Sequence, residues 1–250
     1  MVKIVLTPDW FLGGDVLIEF FSFIVLFIFS ILAIKNYNLN KKNRSFLYLG
    51  WGFGLIALAQ LAAVITKLVL YYDIGPSQAI GNAIITSQIF NSVDIFYYAG
   101  FFFQRFLTLC GLYIIYRLPR KKKSVGDYFL VLYFILLSSI LSKEFYYLFY
   151  LTSLILIVLI TSNYYDVYKK NRFVNTKILI VAFAMLALSQ LIFILSNIDA
   201  LFALASIVEL ISYIGLLFLI IKILKHGEKK GPHGYNIGYA GDNTREKRKH

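Results

Sequence analysis

The chain has 250 residues, of which 59% are hydrophobic and only 15% are charged. Its mean hydropathy is +0.72, and because a soluble domain has about 45–50% apolar residues, this composition excludes an ordinary soluble domain and indicates a membrane protein. The formal net charge of +12 would also suit a nucleic-acid partner, but the apolar content favours a membrane.

Seven apolar segments follow one another along the chain, and each is predicted to be an α-helix, so the fold class is all-α. A helix that rises 1.5 Å per residue needs about 20 apolar residues to cross ~30 Å of hydrocarbon, and six of the segments reach that length. The segments lie at about 14–35, 46–71, 90–117, 127–142, 145–165, 177–197 and 201–224.

The fourth segment, DYFLVLYFILLSSILS at 127–142, is the short one, and only Lys143 and Glu144 separate it from the fifth. We interpret it as a full span followed by a tight turn. The alternative is one long broken helix or a re-entrant piece, which would reverse the orientation of every later helix.

Basic residues collect in alternate loops and therefore predict the topology. Of the 25 Lys and Arg, 21 lie in the segments that follow the first, third, fifth and seventh helices, whereas the loops 72–89 and 198–200 contain none. Cytoplasmic loops collect Lys and Arg. The pattern predicts seven spans in the plasma membrane, with the N-terminus outside and the C-terminus cytoplasmic. Most of the basic charge then faces anionic lipid headgroups, and we expect no nucleic-acid partner.

This topology divides the chain into three parts. Residues 1–13 are predicted to be an extracellular N-terminus, residues 14–225 a seven-helix transmembrane domain, and residues 226–250 a basic cytoplasmic tail. We expect no cleaved signal peptide, because no small-residue cleavage site follows an apolar stretch of the right length. The basic inner face and the tail offer a surface to a cytoplasmic or membrane protein partner.

Three pairs of similar segments occur in the same order in the two halves of the chain. LIALAQL and MLALSQL carry Gln60 and Gln190, KKNR occurs twice, and VDIFYYAGFFF has a partner in VELISYIGLLF. The pairs predict two parallel three-helix repeats, at about 14–117 and 145–225, joined by helix 4 at about 127–142. The alternative is chance similarity between apolar segments.

On this 3+1+3 plan the chain resembles the seven-helix group that includes the SWEET and PQ-loop transporters and the opsins. The resemblance covers residues 1–225 and lies in plan and repeat pattern, not in a motif. Ala59 and Ser189 precede the two glutamines, so the Pro-Gln dipeptide is missing, and no proline lies within a predicted helix interior. An opsin needs a lysine in the middle of the seventh helix, but Lys222 is already at its inner edge, which disfavours a retinal chromophore.

Polar residues inside the spans are the candidate binding site. A charge at the middle of a bilayer costs about 2.5–3.5 kcal/mol and should face the bundle and find a partner. The alternative is that these residues only fix helix packing, at about 0.6 kcal/mol per hydrogen bond. The predicted cluster is Glu19, Gln60, Lys67, Asp94, Tyr98, Arg105, Gln190, Asn197, Glu209 and Tyr213.

Depth along the helix axes predicts which charges pair. Glu19 and Lys67 both lie near the outer end of their helices, so they suit one another. Arg105 lies ~22 Å from the outer end of helix 3, and we expect it to meet Glu209 of helix 7, directly or through water or Tyr98.

Two further sequence features concern packing and cofactors. Gly50 and Gly54 form a GxxxG pattern, which lets a neighbouring backbone approach closely. The pattern is compatible with packing inside the bundle or with a dimer face. A seven-helix bundle favours packing inside, and an oligomer is the alternative.

Cys110 is the single cysteine and no apolar segment contains a histidine, so we expect no cofactor and no metal.

Three functions are compatible with these features, none of them enzymatic, because the sequence lacks the common catalytic motifs. The first is receptor- or sensor-like binding of a small ligand or a partner protein. The second is facilitative transport of a small solute, which the proline-free helices disfavour. The third is a structural or assembly subunit of a membrane complex. A water-filled cavity open outward favours the first, a cavity that reaches the middle of the membrane favours the second, and a dry core favours the third.

Overall fold

The structure, a computed structural model, describes residues 9–11, 13–39, 41, 44–72, 83–117, 125–141, 145–195 and 199–227. Within these residues the fold is all-helical and contains no strand. A short 3-10 helix at Asp9–Phe11 precedes seven α-helices. They are α1 (Gly14–Leu39), α2 (Arg44–Tyr72), α3 (Ala83–Arg117), α4 (Val125–Leu141), α5 (Tyr146–Asn171), α6 (Val174–Ile194) and α7 (Asp199–Gly227).

Six of the seven α-helices carry a stretch that is long and apolar enough to cross a membrane, as the sequence predicts. Their outward faces expose large apolar side chains, among them Phe21, Val181 and Phe218, each more than half exposed. A helix that is apolar on its outer face as well as its inner one is typical of a membrane span. The chain is therefore a multi-pass membrane protein whose outer surface contacts the lipid bilayer.

The short helix α4 is separate from α5 and lies beside it. Ser138 Oγ on α4 and Thr152 Oγ1 on α5 lie 3.0 Å apart in a hydrogen bond. Because α4 ends at Leu141 and α5 begins at Tyr146, this contact requires α5 to fold back along α4. This geometry agrees with the predicted tight turn between the two helices, and the alternative of one long broken helix is wrong. The 17 residues of α4 extend ~26 Å, so a full crossing by this helix stays a prediction.

Six helices form a closed ring, and α4 lies outside it. Around the ring, α1 packs on α2, α2 on α3, α3 on α5, α5 on α6, α6 on α7, and α7 on α1, while α4 packs on α3 and α5. Exchanging α1, α2 and α3 with α5, α6 and α7 leaves this order of neighbours unchanged. A duplication would produce such a ring, and the duplication itself stays a prediction.

Glycines let α1 and α2 approach closely. A methyl group added at Gly50 would lie 2.8 Å from Ile34 Cγ1, and one added at Gly54 would lie 3.0 Å from Ser30 Oγ. The Ser30 hydroxyl also donates a hydrogen bond of 2.8 Å to the Gly50 carbonyl oxygen. The GxxxG pattern therefore serves internal packing against α1, which confirms the favoured interpretation.

The opposite face of α2 packs equally closely on α3. A methyl group at Gly111 would lie 2.5 Å from the carbonyl oxygen of Gly52, and one at Gly100 would collide with the side chain of Thr66. Such short distances leave no room for any larger residue without a shift of the backbone. The first three helices are thus packed backbone against backbone.

Aromatic side chains fill one half of the ring. The rings of Phe29 and Phe53 have centroids 4.4 Å apart, Phe53 and Phe183 are 6.3 Å apart, and Phe183 and Tyr164 are 5.9 Å apart. All four are at most 2% exposed and come from α1, α2, α6 and α5. We call these four residues the aromatic plug.

Candidate functional site

A cavity of about 110 Å³ lies at the centre of the ring, and we call it the central cavity. All six helices of the ring contribute side chains to its wall, whereas the described side chains of α4 contribute none. A cavity of this size has room for several water molecules. The ring is therefore not uniformly packed, because this cavity adjoins the apolar core.

The central cavity occupies the half of the bundle that contains the first residues of α1, α5 and α7 and the last residues of α2 and α6. Contacts near these helix ends show the arrangement: Lys67 binds Asp15, and Phe193 stacks on Tyr150 at 4.8 Å and meets Phe202 at 5.3 Å. We call this half the cavity half. The predicted topology places it on the outer side of the membrane.

The central cavity reaches the middle of the helices. Its deepest lining residue on α5 is Ile157 and on α7 is Tyr213, and both lie near the midpoints of the apolar spans Tyr147–Lys169 and Ala200–Lys225. Beyond that level the aromatic plug and other buried apolar side chains fill the ring. Polar lining in one half and mainly apolar packing in the other divide the bundle into two chemically different parts.

Most of the predicted polar cluster lines this one cavity. Tyr98 is absent from the wall and is 38% exposed, so its place in the cluster is not supported. The side chains of Asp94 and Asn197 lie outside the described residues. The seven residues that the structure brings together are Glu19, Gln60, Lys67, Arg105, Gln190, Glu209 and Tyr213.

Lys67 stands between two carboxylates at the side of the central cavity. Its ammonium nitrogen lies 2.8 Å from Asp15 Oδ2 and 2.6 Å from Glu19 Oε1, which confirms the predicted Glu19–Lys67 pairing. Asp15 also accepts hydrogen bonds from the backbone amides of Gly13 and Val16 at 3.2 and 2.9 Å. Because this carboxylate fixes both the start of α1 and the ammonium of α2, the three charges join the two helices.

A second polar chain crosses the cavity from α2 to α7. The Tyr213 hydroxyl donates a hydrogen bond of 2.7 Å to Glu209 Oε1, and the Gln60 side chain hydrogen-bonds Tyr213 in turn. Gln60 and Tyr213 belong to different predicted repeats. This chain therefore joins the two halves of the ring.

The predicted direct contact between Arg105 and Glu209 is not found among the ion pairs of the described residues. Both side chains line the central cavity, but Tyr213, one turn along the same helix, takes the Glu209 carboxylate. The Arg105 guanidinium lies over the ring of Phe101, 5.9 Å from its centroid. The two residues share the cavity wall, as their predicted depths require, but depth does not specify where the side chains point. Their contact through water stays a prediction.

Three buried polar atoms on the cavity wall have no hydrogen-bond partner among the residues that the structure describes: Glu19 Oε2, Ser153 Oγ and Gln190 Oε1. Ser153 is 1% exposed and Gln190 is 5% exposed. Buried polar groups are almost always hydrogen-bonded, to protein or to ordered water. These atoms, which come from three different helices, are therefore polar groups on the cavity wall that water could hydrogen-bond.

Sequence reasoning missed the contribution of α5. Phe149, Tyr150, Ser153 and Ile157 all line the central cavity, and their spacing of one, three and four residues follows one face of a helix. That spacing is visible in the sequence. Hydroxyl and aromatic side chains are common in membrane helices, however, so they stand out less than a charge does.

Comparisons with protein-family models, with curated proteins and with solved structures give no match to this chain. The seven-helix architecture agrees with the predicted plan, and membership of the transporter or opsin groups stays a prediction. The fold and the site together define an all-helical integral membrane protein with a polar cavity at the centre of its bundle.

Proposed function

We propose that this membrane protein is non-catalytic and binds a small polar solute in the central cavity, in the manner of a receptor or sensor. The observation that carries the proposal is the polar cavity above the aromatic plug. Its size suits a solute of a few atoms, and its wall presents unpartnered polar atoms from α1, α5 and α6.

The same observation argues against a purely structural role. A subunit that serves only assembly gains nothing from charged and amide side chains around a central space, because each costs free energy in a membrane. Such a subunit would be expected to have a dry core throughout the ring. Solute binding would account for these polar side chains, because the solute would hydrogen-bond or pair with them.

Two matched serines on α7 test whether the central cavity is solvated. Ser206 and Ser212 are both buried, and each donates a hydrogen bond to a carbonyl of its own helix. Only Ser206 lines the cavity. In a cysteine-free chain in lipid nanodiscs, Ser206→Cys should react with the neutral reagent 2-hydroxyethyl methanethiosulfonate, and Ser212→Cys should not.

The pair Ser22→Cys and Ser30→Cys on α1 repeats the comparison, since Ser22 lines the cavity and Ser30 does not. Equal reaction rates within both pairs would contradict a solvated cavity and the proposed function with it. Reaction confined to the cavity-lining position of each pair supports it.

A second candidate function is facilitative transport, which the depth of the cavity favours. A cavity that reaches the middle of the helices from one half is what alternating access requires, provided that the aromatic plug can part. Opening of the plug can be tested with Phe53→Cys in the cysteine-free chain, because Phe53 is 0% exposed. For a transporter, whose plug must open, this cysteine should react with 2-hydroxyethyl methanethiosulfonate. For a receptor, whose plug stays closed, it should stay as unreactive as Ser212→Cys.

A further inference from the structure

We infer that the solute taken by the central cavity carries an organic ammonium group. This inference rests on the proposed function and names the ligand class of the same site. Three independent features of the wall support it: the balance of charges, the aromatic rings, and the unpartnered acceptor atoms.

The charges around the cavity leave acidic groups in excess. Lys67 is shared between Asp15 and Glu19, so one ammonium serves two carboxylates. Glu209 receives its hydrogen bond from the neutral hydroxyl of Tyr213. Glu19, Glu209, Lys67 and Arg105 line the cavity, and Asp15 lies against Lys67 but is not on the wall. Counted with Asp15, the described residues of this region provide three carboxylates and two cations. An uncompensated carboxylate in a low-dielectric bundle is costly, and a cationic solute would compensate it.

Aromatic rings surround the space in which that cation would sit. Phe101, Phe149, Tyr150, Phe193 and Phe202 all line the central cavity. The faces of such rings attract cations, and aromatic cages are a recurring way to bind organic ammonium groups. Two of these rings already have a cation nearby, because the Lys67 ammonium lies 6.0 Å from the centroid of Phe202 and the Arg105 guanidinium lies 5.9 Å from that of Phe101.

The unpartnered atoms of the wall are of the acceptor kind. Glu19 Oε2 and Gln190 Oε1 can only accept hydrogen bonds, and the Ser153 hydroxyl can accept one as well. A protonated amine offers up to three N–H donors and no acceptor. A protonated amine could therefore donate hydrogen bonds to all three atoms, whereas a solute that carries a carboxylate or a phosphate would offer them no donor from that group.

The test compares two thiol reagents that differ only in the group they carry. At Ser206→Cys in the cysteine-free full-length chain, we would measure the reaction rates of 2-aminoethyl methanethiosulfonate, which carries an ammonium, and of the neutral 2-hydroxyethyl reagent. The same ratio measured on free cysteine is the reference. We expect the ratio in the protein to exceed the reference by about tenfold, which corresponds to about 1.4 kcal/mol.

Substitution of a single wall carboxylate identifies the source of this preference. Glu209→Gln keeps an oxygen that can accept from Tyr213, so the bundle should remain folded, and the ratio should fall at least threefold towards the reference. Asp166→Asn is the matched control, because Asp166 is an exposed carboxylate on α5 away from the cavity, and it should leave the ratio unchanged. Ser22→Cys provides the same readout from α1 should Ser206→Cys fail to fold.

The outcomes separate this inference from the proposed function. Reaction with both reagents at a ratio no higher than that of free cysteine would overturn the ammonium inference and leave a solvated cavity intact. A raised ratio that Glu209→Gln and Asp166→Asn lower equally would also overturn it, since the preference would then come from the overall charge. Failure of both reagents at both positions would overturn the proposed function.

Discussion

Replacing Lys67 by methionine would remove the ammonium that joins α1 to α2 beside the central cavity. The Lys67 side chain is 5% exposed and contacts Asp15 and Glu19 at 2.8 and 2.6 Å. Methionine keeps much of the side-chain volume, so the main loss is the charge. Asp15 would retain the backbone amides of Gly13 and Val16, whereas Glu19 would lose the partner that the structure gives it.

The expected cost follows from this difference between the two carboxylates. Removing one partner of a buried ion pair typically costs about 3–5 kcal/mol, because the other charge is stranded. Glu19 is 18% exposed at its side chain and lines the cavity, so water can reach part of it. We therefore expect Lys67→Met to lower the free energy of unfolding by about 3 kcal/mol, the lower end of that range.

Reversible unfolding by SDS in mixed micelles would measure this loss. The control is Lys225→Met, which changes an exposed lysine near the end of α7 and should alter stability by no more than about 0.5 kcal/mol. Adding Glu19→Gln and Asp15→Asn to Lys67→Met should recover part of the loss, because no charge is then stranded. A loss as small as that of the control, or additive losses in the combined variant, would refute the reasoning.

Three further predictions concern packing, hydrogen bonding and topology. Gly111→Ala should destabilise the protein by about 1–3 kcal/mol through overpacking. Gly215→Ala is the control and should be tolerated, because its added methyl group would lie 3.8 Å from Ala182. Equal effects of the two changes in SDS unfolding would contradict the close contact between α2 and α3. Tyr213→Phe should cost about 1 kcal/mol in the same assay by removing the bond to Glu209, and an unchanged stability would show that the bond contributes nothing. In a cysteine-free background in intact cells, a cysteine at position 77 should react with an impermeant thiol reagent and one at position 124 should not. Both positions lie outside the described residues. The reverse result would show that the orientation in the membrane is opposite to the predicted one.

The helices were predictable because a membrane span requires a long apolar stretch, which the sequence displays directly. The ends of the helices were less predictable. Hydropathy places the start of the third segment at about 90, whereas α3 begins at Ala83. The residues between, AIITSQI, mix apolar and polar side chains, and they contain no glycine or proline that would end a helix. Hydropathy locates the part of a helix in lipid and does not locate its termini.

The candidate site was predictable to the extent that its members are costly in a membrane. Charged and amide side chains such as Glu19 and Gln190 stand out within apolar runs, and the structure brings them to one cavity. Ser153 did not stand out, because a hydroxyl can bond to its own helix at little cost. A direct Arg105–Glu209 ion pair is not among those of the described residues, because axial depth does not specify the direction in which a side chain points. A contact between them through water stays a prediction.

The middle of the bundle is expected to hold a polar solute or ordered water above the aromatic plug. The most direct measurement is a map of ordered solvent from crystals grown in a lipidic mesophase. We expect density within hydrogen-bonding distance of Glu19 Oε2, Ser153 Oγ and Gln190 Oε1, and none between Phe53 and Phe183. A ring that has closed so that these three atoms bond to protein groups, with no density between them, would contradict the account.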